Sequence, residues 1–143
     1  YLMGINSRVT YKAWDFSFSG RISIGNYVYN NNIASRAFYN NVYQLGFLSN
    51  LPSAINDTNF VSQQQLSDYY VQNGSFFKMD NMSVGYTFKE LLSSKVKARV
   101  SATVQNAFMI TKYDGIDPEV DGGIDNNIYP RPRVFLIGVS IDF

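Results

Sequence analysis

The 143-residue chain contains no cysteine and no histidine. The first absence rules out disulfides and thiolate metal sites. The second removes the commonest general base and metal ligand. Net charge is only +1, so no basic field points to nucleic acid. No stretch approaches the roughly 18 to 20 apolar residues of a membrane helix. That absence leaves a membrane β-barrel open, because its strands carry a much weaker hydropathy signal. Aromatic residues, by contrast, are abundant: 11 Tyr and 11 Phe, more than an ordinary soluble domain carries. The chain opens at Tyr1 in mid-alternation, with no initiator Met or signal peptide, as expected of a later part of something longer.

What fills the chain is period-two alternation, the mark of strands with one apolar face. Five segments carry it, at about 1–12, 14–27, 75–89, 95–110 and 133–143. In the second, Trp14, Phe16, Phe18, Ile22 and Ile24 oppose Asp15, Ser17, Ser19, Arg21 and Ser23. In the last, Phe135, Ile137, Val139, Ile141 and Phe143 oppose Leu136, Gly138, Ser140 and Asp142. At about 3.3 Å per residue such strands are long enough to cross a bilayer when tilted. The connections near 12–14 and 89–94 are short; those at 28–74 and 111–132 are long. Antiparallel strands alternate ends, so both short turns share one end and both long loops the other, the asymmetry of bacterial outer-membrane barrels. Tyr11, Trp14, Phe16, Tyr86, Phe88 and Phe143 crowd the short-turn end like an interfacial aromatic girdle. Lys78, Asp80 and Arg133 fall on the apolar face near the long-loop end. The other face carries Arg8, Asp15, Arg21, Lys97, Arg99 and Asp142, as a wet or plugged lumen would. A secreted soluble β-sandwich, an adhesin or carbohydrate-binding module, satisfies the same alternation.

The loops hold the motifs. A helix is expected around Ala34 to Gln44, with Asn32 as its cap. Phe38, Tyr39, Tyr43, Phe47, Tyr69 and Tyr70 offer rings that stack on a sugar or peptide, or pack the loop onto itself. Of these Tyr39, Tyr43, Tyr69 and Tyr70 are the candidate ligand contacts. Asp117-Pro-Glu119-Val-Asp121-Gly122 mimics the start of a calcium loop, but Ile128 stands where the bidentate Glu belongs, so an EF-hand is rejected. Irregular cation binding by this acidic stretch stays open. Asp117 and Glu119 as a glycosidase pair would need a cleft between them, and nothing in the pattern supplies one.

Several stretches resemble the SusC/RagA-like TonB-dependent outer-membrane transporters. Ser75–Phe88 is similar to their "SFLRLKNISLGYTF" strand and Val104–Phe108 to their "xQNLF" strand. Tyr113-Asp-Gly-Ile-Asp117-Pro118-Glu119, then Gly123, Asp125 and Tyr129-Pro130-Arg-Pro-Arg133, follows their "YxGxDPE…G.D…YPxPR" block. Tyr11–Phe18 is similar to their "YKGFDLSF" turn, with Ala13 for Gly. The resemblance implies an all-β fold: the last five antiparallel strands of a 22-stranded transmembrane β-barrel, with long external loops and short periplasmic turns. It implies a non-enzymatic importer of oligosaccharides or peptides in the bacterial outer membrane, with no cofactor and no nucleic acid. It further implies a SusD-like surface lipoprotein as partner, a TonB complex engaged through an N-terminal part, outer-membrane lipid and the barrel-assembly machinery. Asp117, Pro118, Glu119, Tyr129, Pro130 and Arg133 carry the loop motif, and no catalytic or metal residue comes with it.

The terminal strand generates a first prediction. An unfolded last strand presents unpaired N–H and C=O groups for strand addition, and resemblance to outer-membrane barrels makes Phe143 the expected assembly signal. Deleting Phe143 from the full-length protein should lower its surface level more than its refolding stability in detergent. Normal surface levels after the deletion would leave Phe143 a girdle residue only.

Overall fold

The computed structural model describes residues 1–43, 46–91, 96–126 and 129–142, with the backbone alone for 89–91. Phe143, and Leu92 to Ser94 of the second short connection, lie outside the described residues. Strands β1 (Leu2–Tyr11), β2 (Trp14–Ser23), β5 (Phe76–Leu91), β6 (Val96–Thr111) and β7 (Val134–Asp142) form one antiparallel sheet in that order. Between β2 and β5, β3 (Tyr27–Tyr29) and β4 (Val71–Asn73) pair separately as a two-stranded sheet. The chain divides into two compact units, one of residues 1–24, 76–111 and 131–143, the other of 25–75 and 112–130. The second unit thus holds the whole of 28–74 and all but the ends of 111–132.

Register aligns the two faces of the large sheet. Val9, Phe16, Val84, Ala102 and Ile137 are successive partners across all five strands, and Tyr11, Trp14, Tyr86, Val100 and Val139 form the next apolar row. Between them runs Thr10, Asp15, Gly85, Ser101 and Gly138, a polar row pointing the other way. The aromatic row is packed: Trp14 and Tyr86 meet edge to face at 4.8 Å, and Tyr86 and Phe88 at 4.7 Å. A soluble sandwich would cover its apolar face with a second sheet about 10 Å away. Here Val9 stays 57% exposed and Ile137 83%. Among the described residues, the buried hydrophobic ones apart from Phe76 and Ala98 belong to the second unit: Val28, Ala34, Ala37, Phe38, Ile55, Tyr70 and Tyr113.

Two differences from the sequence pattern have physical causes. First, Lys78 and Asp80 leave the apolar face. Gly20 pairs with Met79 while Ser19 pairs with Asn81, so Asp80 is an extra residue in β5. Opposite it β6 spends two residues, Asn106 and Ala107, between Gln105 and Phe108. One inserted residue exchanges the faces of everything beyond it. Phe77 and Met79 therefore join the apolar side, with Phe77 against Phe108 at 5.9 Å, and Lys78 pairs with Arg21 on the polar side at 4% exposure. Asp80 receives a bidentate ion pair from Arg21, at 2.8 Å from Nε and 2.9 Å from Nη2. Gly20 permits the close approach, since a Cβ there would lie 2.9 Å from the Lys78 carbonyl oxygen. Asn106 takes φ 50° at its bulge, a conformation Asn tolerates, and its side chain donates to the Pro132 carbonyl at 3.0 Å.

Second, the segment read as one strand over 14–27 stops at Ser23, and Gly25 at φ 81° turns the chain before β3. The helix expected around Ala34 to Gln44 is displaced. Helix α1 covers only Asn31–Ala34, because Asn30 rather than Asn32 caps it, accepting from the Ile33 amide at 3.0 Å. A 3₁₀ turn follows at Tyr39–Tyr43.

The face assignment predicts an asymmetric response to charge. In the full-length protein, Val100→Arg or Ile137→Arg should cost about 2–4 kcal/mol in liposome folding titrations, while Ser101→Arg is mild. Equal costs on the two faces would sink the assignment.

Candidate functional site

The second unit is held by side chains that reach between its two segments. Tyr113, two residues past the end of β6, is 5% exposed, and its hydroxyl donates to Asp125 Oδ2 at 2.6 Å. The other carboxylate oxygen of Asp125 accepts from Asn32 Nδ2 at 3.2 Å, and the Asp125 amide donates to the Tyr29 carbonyl at 2.9 Å. Ile124 forms a parallel bridge with Tyr29, and the Asp114 amide donates to Gln72 Oε1 at 3.1 Å. Asp125 itself is only 2% exposed. A buried carboxylate is costly unless its lone pairs are met, and here phenol and carboxamide meet them. Burial, reinforced by the Asp125 charge, pushes the Tyr113 phenol far above its ordinary range.

Beside this hub lies a cavity of about 270 Å³, lined among others by Asn30, Asn32, Arg36, Asp114, Ile116 and Asp125. The Nδ2 of Asn30 is buried with no hydrogen-bond partner, as is the Tyr70 hydroxyl. Among the described residues no group of three or more acidic side chains is placed to hold a metal ion.

The residues singled out in the sequence scatter. Tyr39, Tyr43 and Tyr69 are exposed, with the Tyr39 hydroxyl on Asn59 Oδ1 at 3.2 Å. Tyr70 is 1% exposed and packs edge to face on Tyr69 at 5.3 Å and Tyr29 at 6.3 Å, so its ring is core rather than offered surface. The loop motif divides. Asp117 and Pro118 are buried, Asp117 accepting from the Glu119 amide at 2.9 Å in an Asx turn. Tyr129, Pro130 and Arg133 are exposed. Sequence reasoning missed Tyr113, Asp125 and Asn32 as a connected set, although Tyr113 and Asp125 both stand in the quoted motif.

On the sheet, the polar face carries its own charge pairs. Asp15, 8% exposed, accepts from Arg99 Nη2 at 2.6 Å and Nε at 3.1 Å, with Arg8 at 3.7 Å. Gly85 separates Asp15 from the next strand, and a Cβ there would collide with both the carboxylate and the guanidinium. Thr103 donates to Ser83 Oγ at 2.9 Å. One face apolar and exposed, the other hydroxylated and charged, is the cross-section of a transmembrane barrel wall.

No family model matches the chain. It is 43% identical over 152 residues to the TonB-dependent receptor SusC of Bacteroides thetaiotaomicron, covering 99% of this chain and 15% of that protein. It is 25% identical to the TonB-dependent receptor P3 of Formosa agariphila, over 100% of this chain and 16% of that one. Among solved structures, the RagAB peptide importer in its closed-closed state superposes with a TM-score of 0.75 at 22% identity, covering 96% of this chain and 16% of that one. The open-open state gives 0.72 at 19% identity, over 99% and 17%. The fold is thus that of an outer-membrane TonB-dependent transporter barrel, of which this chain spans about one sixth of the relatives' length. The chain belongs to the SusC/RagA-like TonB-dependent receptors of the outer membrane, as a segment of one.

The hub yields a prediction. Tyr113→Phe in the full-length receptor leaves the buried Asp125 short of a donor, so local opening should become easier by about 1–3 kcal/mol, read by hydrogen exchange at the Asp125 amide. The pH dependence follows from the raised phenol. Its contribution is complete below the ordinary tyrosine range near 10 and fades only as pH climbs through the higher folded value. Protection at that amide should therefore persist at pH 10; loss there would contradict the buried hydrogen bond.

Proposed function

We propose that this chain supplies strands and external loops to an outer-membrane nutrient importer. The TonB complex energises that importer, and a SusD-like surface lipoprotein delivers oligosaccharide or peptide to it. The single observation that carries the reading is 43% identity to SusC across 99% of the chain. The geometry supports it: an apolar face for outer-membrane lipid, a polar face with Asp15–Arg99 and Arg21–Asp80 pairs for the lumen, and a compact loop unit. In the complete barrel, 22-stranded by resemblance, β1 and β7 gain their outer partners, since unpaired backbone in hydrocarbon costs several kcal/mol per group. Residues 28–74 and 111–132 are then external, the exposed rings of Tyr39, Tyr43 and Tyr69 are available to cargo or lipoprotein, and Phe143 is read by the barrel-assembly machinery. Action is by binding and gated passage, without bond chemistry.

A tag inserted after Leu66, which is 89% exposed, should be reached by antibody on intact cells carrying the full-length receptor. Cells lacking the receptor should lose uptake of a labelled oligosaccharide or peptide, and so should cells with an inactive TonB complex. A tag reached only after the outer membrane is broken would invert the topology; uptake independent of TonB would overturn the transport reading.

A further inference from the structure

The lipid-facing side of the sheet is not evenly bulky. At the short-turn end it holds a groove of about 540 Å³, walled by Trp14, Tyr86 and Phe88 and floored by Val84, Val100 and Ala102. The walls stand because the three rings stack edge to face in sequence, Trp14 on Tyr86 and Tyr86 on Phe88. The floor is low because Ala102, paired between Val84 and Ile137, brings little side chain to that row.

A cation stands at the rim. Lys12 occupies the two-residue turn between β1 and β2, and alternation after Tyr11 would send its side chain to the polar face. Instead its backbone takes φ 56°, and its ammonium lies 5.2 Å from the centroid of the Tyr11 ring, on the apolar side. Tyr11 is the register partner of Trp14, so the ring that carries the Lys12 ammonium neighbours the groove's aromatic wall. Among the described residues no carboxylate pairs with Lys12. A cation at the membrane interface, next to an apolar slot, complements a phosphate joined to an acyl chain.

We propose that this groove is a binding site for one anionic phospholipid, with an acyl chain lying along the Trp14, Tyr86 and Phe88 rings over Val84, Val100 and Ala102, and the headgroup phosphate at Lys12. The site rests on the reading that the apolar face meets lipid and that the short turns are periplasmic. The occupant is therefore a glycerophospholipid of the inner leaflet rather than a surface glycolipid. A convex, uniformly bulky strand face would leave lipid to exchange freely; a walled slot with a charge at one end holds one molecule in one orientation.

The test uses the full-length receptor, taken through detergent exchange with added phosphatidylglycerol or phosphatidylethanolamine, with retained lipid counted by native mass spectrometry. The wild type should keep one phosphatidylglycerol. Lys12→Asn, which suits the left-handed backbone there, should lower its retention roughly fivefold, the factor one Lys contributes at an anionic bilayer, and leave phosphatidylethanolamine unchanged. Ala102→Phe, which fills the floor, should lower retention of both. Ile22→Phe, on the same face toward the long-loop end, should change neither. Heat-modifiable gel mobility confirms that each barrel is closed, and Lys12→Asn, a turn substitution, keeps the test standing if Ala102→Phe does not fold. No retained lipid, equal retention by wild type and Ala102→Phe, or preferential retention of added lipid A would overturn the site. If Val100→Arg proves harmless in liposomes, the lipid face itself is wrong; if it is costly while no lipid is retained, only the site falls.

Discussion

Backbone N–H and C=O groups that enter hydrocarbon must be paired within the protein, and the sheet of this chain is organised by that requirement. Its strands run antiparallel in the order β1-β2-β5-β6-β7, with each consecutive pair in register over most of its length. Neither long connection interrupts that ladder. The one between β2 and β5 forms its own small sheet from β3 and β4 and returns the chain to pair directly with the strand it left. Strand neighbours are thus kept close while the loops grow, and loop length costs little in closure entropy.

Once the ladder is set, the side chains have only two directions, and the phase along each strand decides everything about solvent. The double bulge at Asp80 and Asn106 is where that phase is managed. Without the extra residue, Lys78 would project from the apolar face. With it, Lys78 shares the polar side with Arg21, and Phe77 and Met79 take its place outside. The Arg21–Asp80 ion pair spans the irregularity, and Asn106 ties the other side of it to Pro132. Charges near the end of the strand are thereby kept off the apolar face.

The loops follow a different rule. They build a core of their own around Tyr70, Tyr113 and the buried Asp125. Asp125 is the junction: its amide, and both oxygens of its carboxylate, bond to residues from elsewhere in the unit. Substituting such a group removes several long-range contacts together, which is why a motif of loop residues can carry packing rather than chemistry. Asp117 and Pro118 in that motif are also buried, whereas Tyr129 is 91% exposed.

The sequence alone determined the five two-faced strands of the large sheet, the long-and-short alternation of the connections between them and the family, because period two and short motifs are local properties of a chain; the short β3 and β4 inside the first long connection carry too few residues to show a period. It could not place the bulge, since a residue is extra only relative to a partner strand, and β2 and β5 are separated by the whole of the first long loop. Nor could it tell Tyr70 from Tyr69: adjacent rings of one residue type differ only in which lies against Tyr29. The Tyr113–Asp125–Asn32 junction was hidden likewise, because Asn32 and Asp125 stand 93 residues apart and meet only when both loops have folded. Tertiary structure decided these points because each depends on which distant residue stands opposite, and periodicity carries no record of that.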